Sequence, residues 1–141
     1  MDRKAEAYWS GDLKSGTGKI KLESGAFEGA YSFPSRFETG PGTNPEELLG
    51  AAHAACFSMA LAHALSSAGH VPARIDTTAA VSLEKSAGGP SITGIRLTTR
   101  GTVPGIDAAT FVKFATETKE GCIVSRALAA VPIVLDAQLV G

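Results

Sequence analysis

One stretch of the chain constrains the fold before any other. From Leu48 to Ala73 there is no Asp, Glu, Lys or Arg, and the run is preceded by Asn44-Pro45-Glu46-Glu47. Those four residues form a helix start. Asn44 suits the N-cap, Pro45 suits the first helical position, where a missing N–H costs nothing, and two carboxylates favour the positive end of the helix. The apolar run continues to about Ala68, and Gly69 fits a C-terminal cap. Such a stretch is long enough to cross a bilayer. It is rich in alanine, however, and carries Ser58, Ser66, Ser67, His53, His63 and His70, whereas lipid-spanning segments lean on Leu, Ile, Val and Phe. The expectation is a helix apolar on all sides and buried inside a protein, with no membrane partner.

The flanking segments read mostly as strands. Ala5–Trp9 and Lys19–Leu22 alternate apolar and polar residues, and Ala30–Phe33 is a third candidate stopped by Pro34. Residues 37–42 read as a loop. Arg74–Leu83 and Ser91–Gly101 predict a hairpin across Ser86-Ala87-Gly88-Gly89-Pro90. Asp107 caps a second helix over about Ala108–Glu120, ended by Gly121. Ser125–Ala130 reads as a short third helix and Pro132–Leu139 as a last strand. Strands and helices do not alternate singly, so the class is α+β with mainly antiparallel pairing around the long helix. With 141 residues and neither repeat nor low-complexity tract, 1–141 is expected to be a single domain.

Thirteen basic residues against fourteen acidic ones give a net charge of −1. No basic stripe is present, which argues against a nucleic-acid partner. The start, Met1-Asp2-Arg3-Lys4-Ala5-Glu6, has no secretory pattern, so a cytoplasmic location is expected. Two cysteines are too few for a secreted disulfide scaffold. In a reducing compartment they are inert, metal-binding or redox-active.

Cys56 is the twelfth residue after Asn44, about 18 Å into the helix at its usual rise. The helix dipole does not reach so far, and burial alone raises a thiol pKa. A reactive Cys56 therefore requires a nearby cation. His53 lies at i−3 on the same face and His63 at i+7. Arg36, in the loop ahead of the helix, suits the role best. Its charge is permanent and its fork of donors is rigid, so it can stabilise a thiolate. A buried arginine needs a carboxylate; Glu46 and Glu47 are the obvious partners and Glu38 a weaker one. Cys122 follows Gly121 in a break between two helical patterns, a place suited to a mobile resolving thiol. The plainer alternatives stay open on spacing alone. An isolated cysteine on an apolar face is usually a core residue, early acidic residues serve as caps, and His53-x-x-Cys56 with His63 or Cys122 has a foothold for a metal site.

The run from Gly42 to Ala60, Gly-Thr-Asn-Pro-Glu-Glu-Leu-Leu-Gly-Ala-Ala-His-Ala-Ala-Cys-Phe-Ser-Met-Ala, closely resembles the OsmC/Ohr family of hydroperoxide reductases. So do Trp9–Asp12, Arg36-Phe37-Glu38, Ile75–Ala79, Val103–Asp107 and Gly121-Cys122, in the same order along nearly the whole chain. His53 ahead of Ala54-Ala55-Cys56 looks more like the OsmC branch than the Ohr branch. The resemblance implies a thiol peroxidase without metal, flavin or haem, built as an intertwined homodimer with sites at the subunit interface. By motif position Cys56 matches the peroxidatic cysteine, Cys122 the resolving one, and Arg36 and Glu46 the pair that sets the thiolate. It further implies organic hydroperoxides as substrates, hydrogen peroxide more weakly, and an external dithiol reductant such as a lipoyl group. One departure stands out. The family pattern Cys-Pro-Val-Ser is here Cys122-Ile123-Val124-Ser125, which removes a constraint on φ and is expected to slow resolution more than to prevent it. The alternatives are a catalytically silent α+β binding protein on the same fold and a Cys/His metal-binding module.

Overall fold

The computed structural model describes all 141 residues. Their contacts gather into two compact units, 1–48 and 49–141, and each is taken in turn.

The first unit opens with β1 (Ala5–Ser10), β2 (Thr17–Leu22) and β3 (Glu28–Tyr31), an antiparallel sheet in the order β1-β2-β3. The β1–β2 turn is closed by Asp12, whose Oδ1 accepts from the Ser15 N–H at 2.7 Å and from the Ser15 hydroxyl at 2.6 Å. Gly18 sits between Trp9 and Tyr31 in the ladder, and the two rings meet over it at 5.4 Å. A Cβ at Gly18 would lie 2.5 Å from the Tyr31 ring, so the aromatic pair requires glycine there.

Beyond β3 the sequence expectation needs correction. Phe33 does not continue a strand, and the next residues are not all loop. Phe33–Phe37 form a short helix, α1. Ser32 caps it, with Ser32 and Ser35 exchanging side-chain-to-backbone hydrogen bonds at 3.2 and 2.8 Å. Pro34, read as the stop of a strand, occupies the first turn of this helix, where proline is welcome.

Helix α2 (Pro45–Ser67) begins as expected, with Asn44 Oδ1 accepting from the Glu47 N–H at 2.8 Å. Its end is also as expected. Gly69 takes φ +87°, the His70 N–H reaches Leu65 O at 2.9 Å and the Gly69 N–H reaches Ser66 O at 3.0 Å, the paired bonds of a Schellman cap. The helix is long and apolar enough to cross a membrane. Within the chain, however, its buried positions form one stripe: Glu46, Gly50, His53, Phe57, Leu61 and Leu65. The spacing of three and four residues is that of one helical face. Ala51, Ala52, Ala55 and Met59 are exposed, so the expectation of a helix buried on all sides needs correction: α2 is buried along one face.

In the second unit, β4 (Arg74–Ser86) and β5 (Gly89–Thr102) form the expected hairpin, extended at both strand ends. α3 (Ala108–Gly121) and α4 (Ile123–Ala127) then carry the chain over to β6 (Ile133–Leu139), which pairs parallel with β5. The sheet order is β4-β5-β6. Asp107 caps α3 by accepting from the Thr110 N–H at 2.7 Å. Helix α4 starts at Ile123, two residues earlier than expected, with Cys122 as its N-cap. Phe57, Leu61 and Leu65 of α2 join Ile95 and Leu97 of β5 and Phe111 and Ala115 of α3 in one core. Each fully buried leucine or phenylalanine contributes about 1.5–3 kcal/mol relative to an exposed one. Gly50 lets α2 come close to β4, since a Cβ there would meet Ala79 O at 3.0 Å.

Candidate active site

The structure gathers the four predicted site residues into two pairs. In the first unit, Arg36 of α1 meets Glu46 in the first turn of α2. Its Nη2 donates to Glu46 Oε1 at 2.7 Å, and its Nε is shared between both carboxylate oxygens at 3.2 Å each. Glu46 is 6% exposed, and the Arg36 side chain is 38% exposed. The guanidinium also lies 5.3 Å from the Phe37 ring centroid. Of the three carboxylates offered by the sequence, the arginine takes Glu46. Glu47 instead accepts from the Thr43 hydroxyl at 2.7 Å, which closes the turn ahead of α2. The short α1 helix, with its Ser32 cap, is what points Arg36 toward the start of α2.

In the second unit, Cys56 and Cys122 are both free thiols, and their sulfurs stand 3.2 Å apart although 66 residues separate them. A disulfide requires about 2.05 Å, so a small shift joins them. Cys56 comes from the middle of α2. Cys122 is the joint between two helices: its N–H donates to Thr118 O at 2.9 Å to close α3, and its C=O accepts from the Arg126 N–H at 3.0 Å to open α4. Ile123, which replaces the family proline, begins α4 with its side chain 75% exposed. The helix start therefore forms without proline, and the isoleucine side chain does not fill the space around the sulfurs.

The pKa values of the two thiols are shifted in opposite directions. Burial pushes the Cys56 thiol up, against a weaker pull from the Val124 N–H, and the neighbouring Cys122 pushes it further. Burial also acts against ionisation of Cys122. There it is outweighed by the Ser125 N–H, the contact with Cys56, the Ser125 hydroxyl and the Val124 N–H, so its pKa lies below the ordinary thiol value. Left to this unit, Cys56 is the harder of the two thiols to ionise. A Cys56 thiolate thus needs a positive charge beyond what the surrounding backbone supplies, as its position in the helix already required.

His53 does not turn toward Cys56. Its Nε2 lies 2.7 Å from Ser125 Oγ, both residues are buried, and burial lowers the His53 pKa so that the ring is neutral. Its Nδ1 has no partner. His63 is exposed and His70 half-buried, and no three of His, Cys, Asp and Glu converge as metal ligands. Ser125 was missed as a site residue by sequence reasoning. The available signal was its position three residues after Cys122.

The comparisons with known proteins agree on one kinship. A family model described as OsmC-like protein matches residues 38–136. Two curated relatives, both named Peroxiredoxin OsmC, from Escherichia coli strain K12 and Shigella flexneri, are each 53% identical over 140 residues, 99% of this chain and 97% of theirs. Among solved structures, an organic hydroperoxide resistance protein OsmC from Legionella pneumophila is similar at a TM-score of 0.77 and 23% identity, covering 96% of each chain. The organic hydroperoxide resistance protein OhrB of Bacillus subtilis is similar at 0.73 and 25% identity, covering 96% of this chain and 97% of its own.

Proposed function

The chain belongs to the OsmC family, and from that premise we propose that it reduces organic hydroperoxides, and hydrogen peroxide more weakly, through a Cys56–Cys122 disulfide. That it is a cysteine-based peroxidase follows from its kinship with the peroxiredoxins. The substrate preference and the roles of individual residues are our reading.

In that reading Cys56 Sγ, as thiolate, attacks the distal peroxide oxygen. The O–O bond breaks, the alkoxide takes a proton and leaves as an alcohol, and Cys56 becomes a sulfenic acid. Cys122 condenses with it, releasing water and closing the disulfide. An external dithiol, of lipoyl type, restores both thiols by exchange. Arg36, held by Glu46, supplies the positive charge that a mid-helix thiolate lacks, whichever subunit of a homodimer contributes it. No metal, flavin or haem takes part. We further take 1–141 as one functional domain, homodimeric and cytoplasmic.

The observation that carries the reading is the sulfur–sulfur approach of 3.2 Å between two free thiols. The test is mass spectrometry with thiol counting before and after one equivalent of cumene hydroperoxide. Loss of two hydrogens and both thiols, abolished in Cys56→Ser, is expected. In Cys122→Ser the first turnover should stop at a sulfenic acid that dimedone traps. An unchanged mass with both thiols free would refute the peroxidase reading and leave a silent binding protein on this fold.

A further inference from the structure

The two sulfurs are not equally covered by the chain. Cys122 is 2% exposed and belongs to the same buried cluster as Phe57, Phe111 and Ala115. Its backbone is fixed on both sides, by its N–H on Thr118 O at 2.9 Å and by the Arg126 N–H on its C=O at 3.0 Å. Cys56 is packed against that cluster but only half-buried. Its place on α2 accounts for the difference. The buried stripe of α2 runs through His53, Phe57 and Leu61, while Ala52, Ala55, Met59 and His63 are exposed. With about 3.6 residues per turn, Cys56 falls on the border between the two, one turn from buried His53 and one turn from exposed Ala52. One sulfur of the pair is thus sealed in the fold, and the other lies at its edge.

Displacement at a divalent sulfur is in line: the incoming group approaches opposite the bond that breaks. On resolution, Cys122 Sγ, 3.2 Å away, attacks the sulfenic Cys56 Sγ. The S–S bond forms and the S–O bond breaks. The hydroxide takes the proton given up by the Cys122 thiol and leaves as water, so the departing oxygen lies across Cys56 Sγ from Cys122. On reduction, either sulfur of the disulfide is a target by chemistry alone, and access decides between them. Attack on Cys122 Sγ has to come from the side away from Cys56, and at 2% exposure that side is filled by the chain itself. A second subunit adds cover there and removes none. Attack on Cys56 Sγ comes from the side away from Cys122, the side by which the oxygen left. A peroxide has to reach Cys56 for the cycle to begin, so that approach is open in any assembly that turns over.

We propose that the external dithiol enters at Cys56 Sγ and not at Cys122 Sγ, so that Cys56 carries the mixed disulfide and Cys122 is the leaving thiol. This inference rests on the dithiol cycle proposed above and assigns the order of its second half. One thiolate of the dithiol attacks Cys56 Sγ, the S–S bond breaks, and its electron pair leaves on Cys122 Sγ. The second thiol of the reductant then attacks the reductant's own sulfur in the mixed disulfide. The reductant closes its disulfide, the electron pair returns to Cys56 Sγ, and the two protons of the dithiol end on the two cysteines. Cys122 is also the easier of the two thiols to ionise, and a less basic thiol leaves faster. Oxidant and reductant then use one position in turn, on the outward side of Cys56. Cys122 works from behind it, as nucleophile in one half of the cycle and leaving group in the other.

The test asks which sulfur takes the incoming thiol. The disulfide is formed in the wild-type chain with diamide, without peroxide, and mixed with 2-mercaptoethanol in a rapid-quench instrument. The reaction is stopped in acid at successive short times, free thiols are blocked with N-ethylmaleimide under denaturing, mildly acidic conditions, and peptides are mapped by mass spectrometry. The mercaptoethanol adduct is expected on Cys56 with the maleimide on Cys122, exceeding the reverse pattern by about tenfold or more at the earliest times. An adduct on Cys122, or an even split, overturns the proposal. Should the adduct close too fast to be caught, the single-cysteine variants decide. At pH values where each thiol is fully ionised, iodoacetamide should alkylate Cys56 in Cys122→Ser about tenfold or more faster than Cys122 in Cys56→Ser, and equal rates overturn the proposal. If the adduct sits on Cys56 while cumene hydroperoxide leaves the reduced protein unchanged, the peroxidase reading is what fails, and the entry of thiols at Cys56 stands.

Discussion

Exchanging Glu46 for glutamine removes the charge that holds Arg36 while keeping the side chain's shape, so it isolates the worth of their pairing. The Arg36 Nε–H is shared between two oxygens at 3.2 Å and counts once; with the 2.7 Å bond from Nη2 there are two charge-assisted hydrogen bonds. Such bonds contribute about 1.5–3 kcal/mol each. Arg36 is 38% exposed, so water screens its end and the figure must be discounted by about half. Glutamine keeps one acceptor oxygen and turns an NH2 group toward the other N–H. The pairing term lost is then about 1–2 kcal/mol, or a fall of roughly 3–8 °C in melting temperature for a chain of this size. The assay is a double-mutant cycle: urea denaturation of wild type, Glu46→Gln, Arg36→Gln and the double variant, at one protein concentration because any self-association would make stability depend on it. A coupling energy within about 0.3 kcal/mol of zero, the range of independent sites, would refute the reasoning that Glu46 anchors the arginine. If the pair also serves Cys56, the sulfenic acid should form more slowly in Glu46→Gln than in wild type.

Three further outcomes are expected. His53 is held neutral in the fold while the unfolded chain protonates near pH 6.5; the folded pKa is the lower one, so stability is full above about pH 6.5 and falls below it, by up to about 1.4 kcal/mol per pH unit. Urea denaturation across that range should show the slope, and His53→Gln should flatten it. Gly69→Ala places a side chain at φ +87° in the Schellman cap, and chemical denaturation should register a loss of about 1 kcal/mol or more. Closing the disulfide ties a loop of 66 residues, which in the chain-entropy account stabilises by up to about 4 kcal/mol, so calorimetry should find the oxidised protein melting above the reduced one.

Parts of this molecule were legible in the sequence for identifiable reasons. Helix α2 announces itself through Asn44, Pro45 and the uncharged run, because caps and hydropathy are local signals. The β4–β5 hairpin shows in its alternation of Thr, Val and Ile. Helix α1 was hidden because Pro34 is equally at home after a strand and in a first helical turn, and the deciding bonds run between Ser32 and Ser35. The start of α4 slipped because Cys122 caps it without a side-chain hydrogen bond. At the candidate site, spacing alone left Cys56 and Cys122 open among three roles; it was the family resemblance that implied their pairing. The choice of Glu46 over Glu47 depended on Thr43 occupying Glu47, and His53 meeting Ser125 depends on packing between segments 72 residues apart. Contacts of that range leave no periodicity to read.

The parallel pairing of β5 with β6 has a consequence for the life of the chain before folding is complete. Parallel neighbours cannot be joined by a tight turn, so the crossover through α3 and α4 must be laid down first, and Cys122 rides on it. Until β6 docks, that crossover is held only through the apolar face of α3, with Phe111 and Ala115 against α2 and β5. A chain still emerging from synthesis, or one partly unfolded, therefore exposes Cys56 without its companion. On the proposed dithiol cycle, a Cys56 sulfenic acid formed in such a copy has no Cys122 to condense with and is open to further oxidation that thiols do not reverse. On that proposal, reversible redox cycling belongs to the finished molecule, and irreversible oxidation of Cys56 would mark those copies that never completed it.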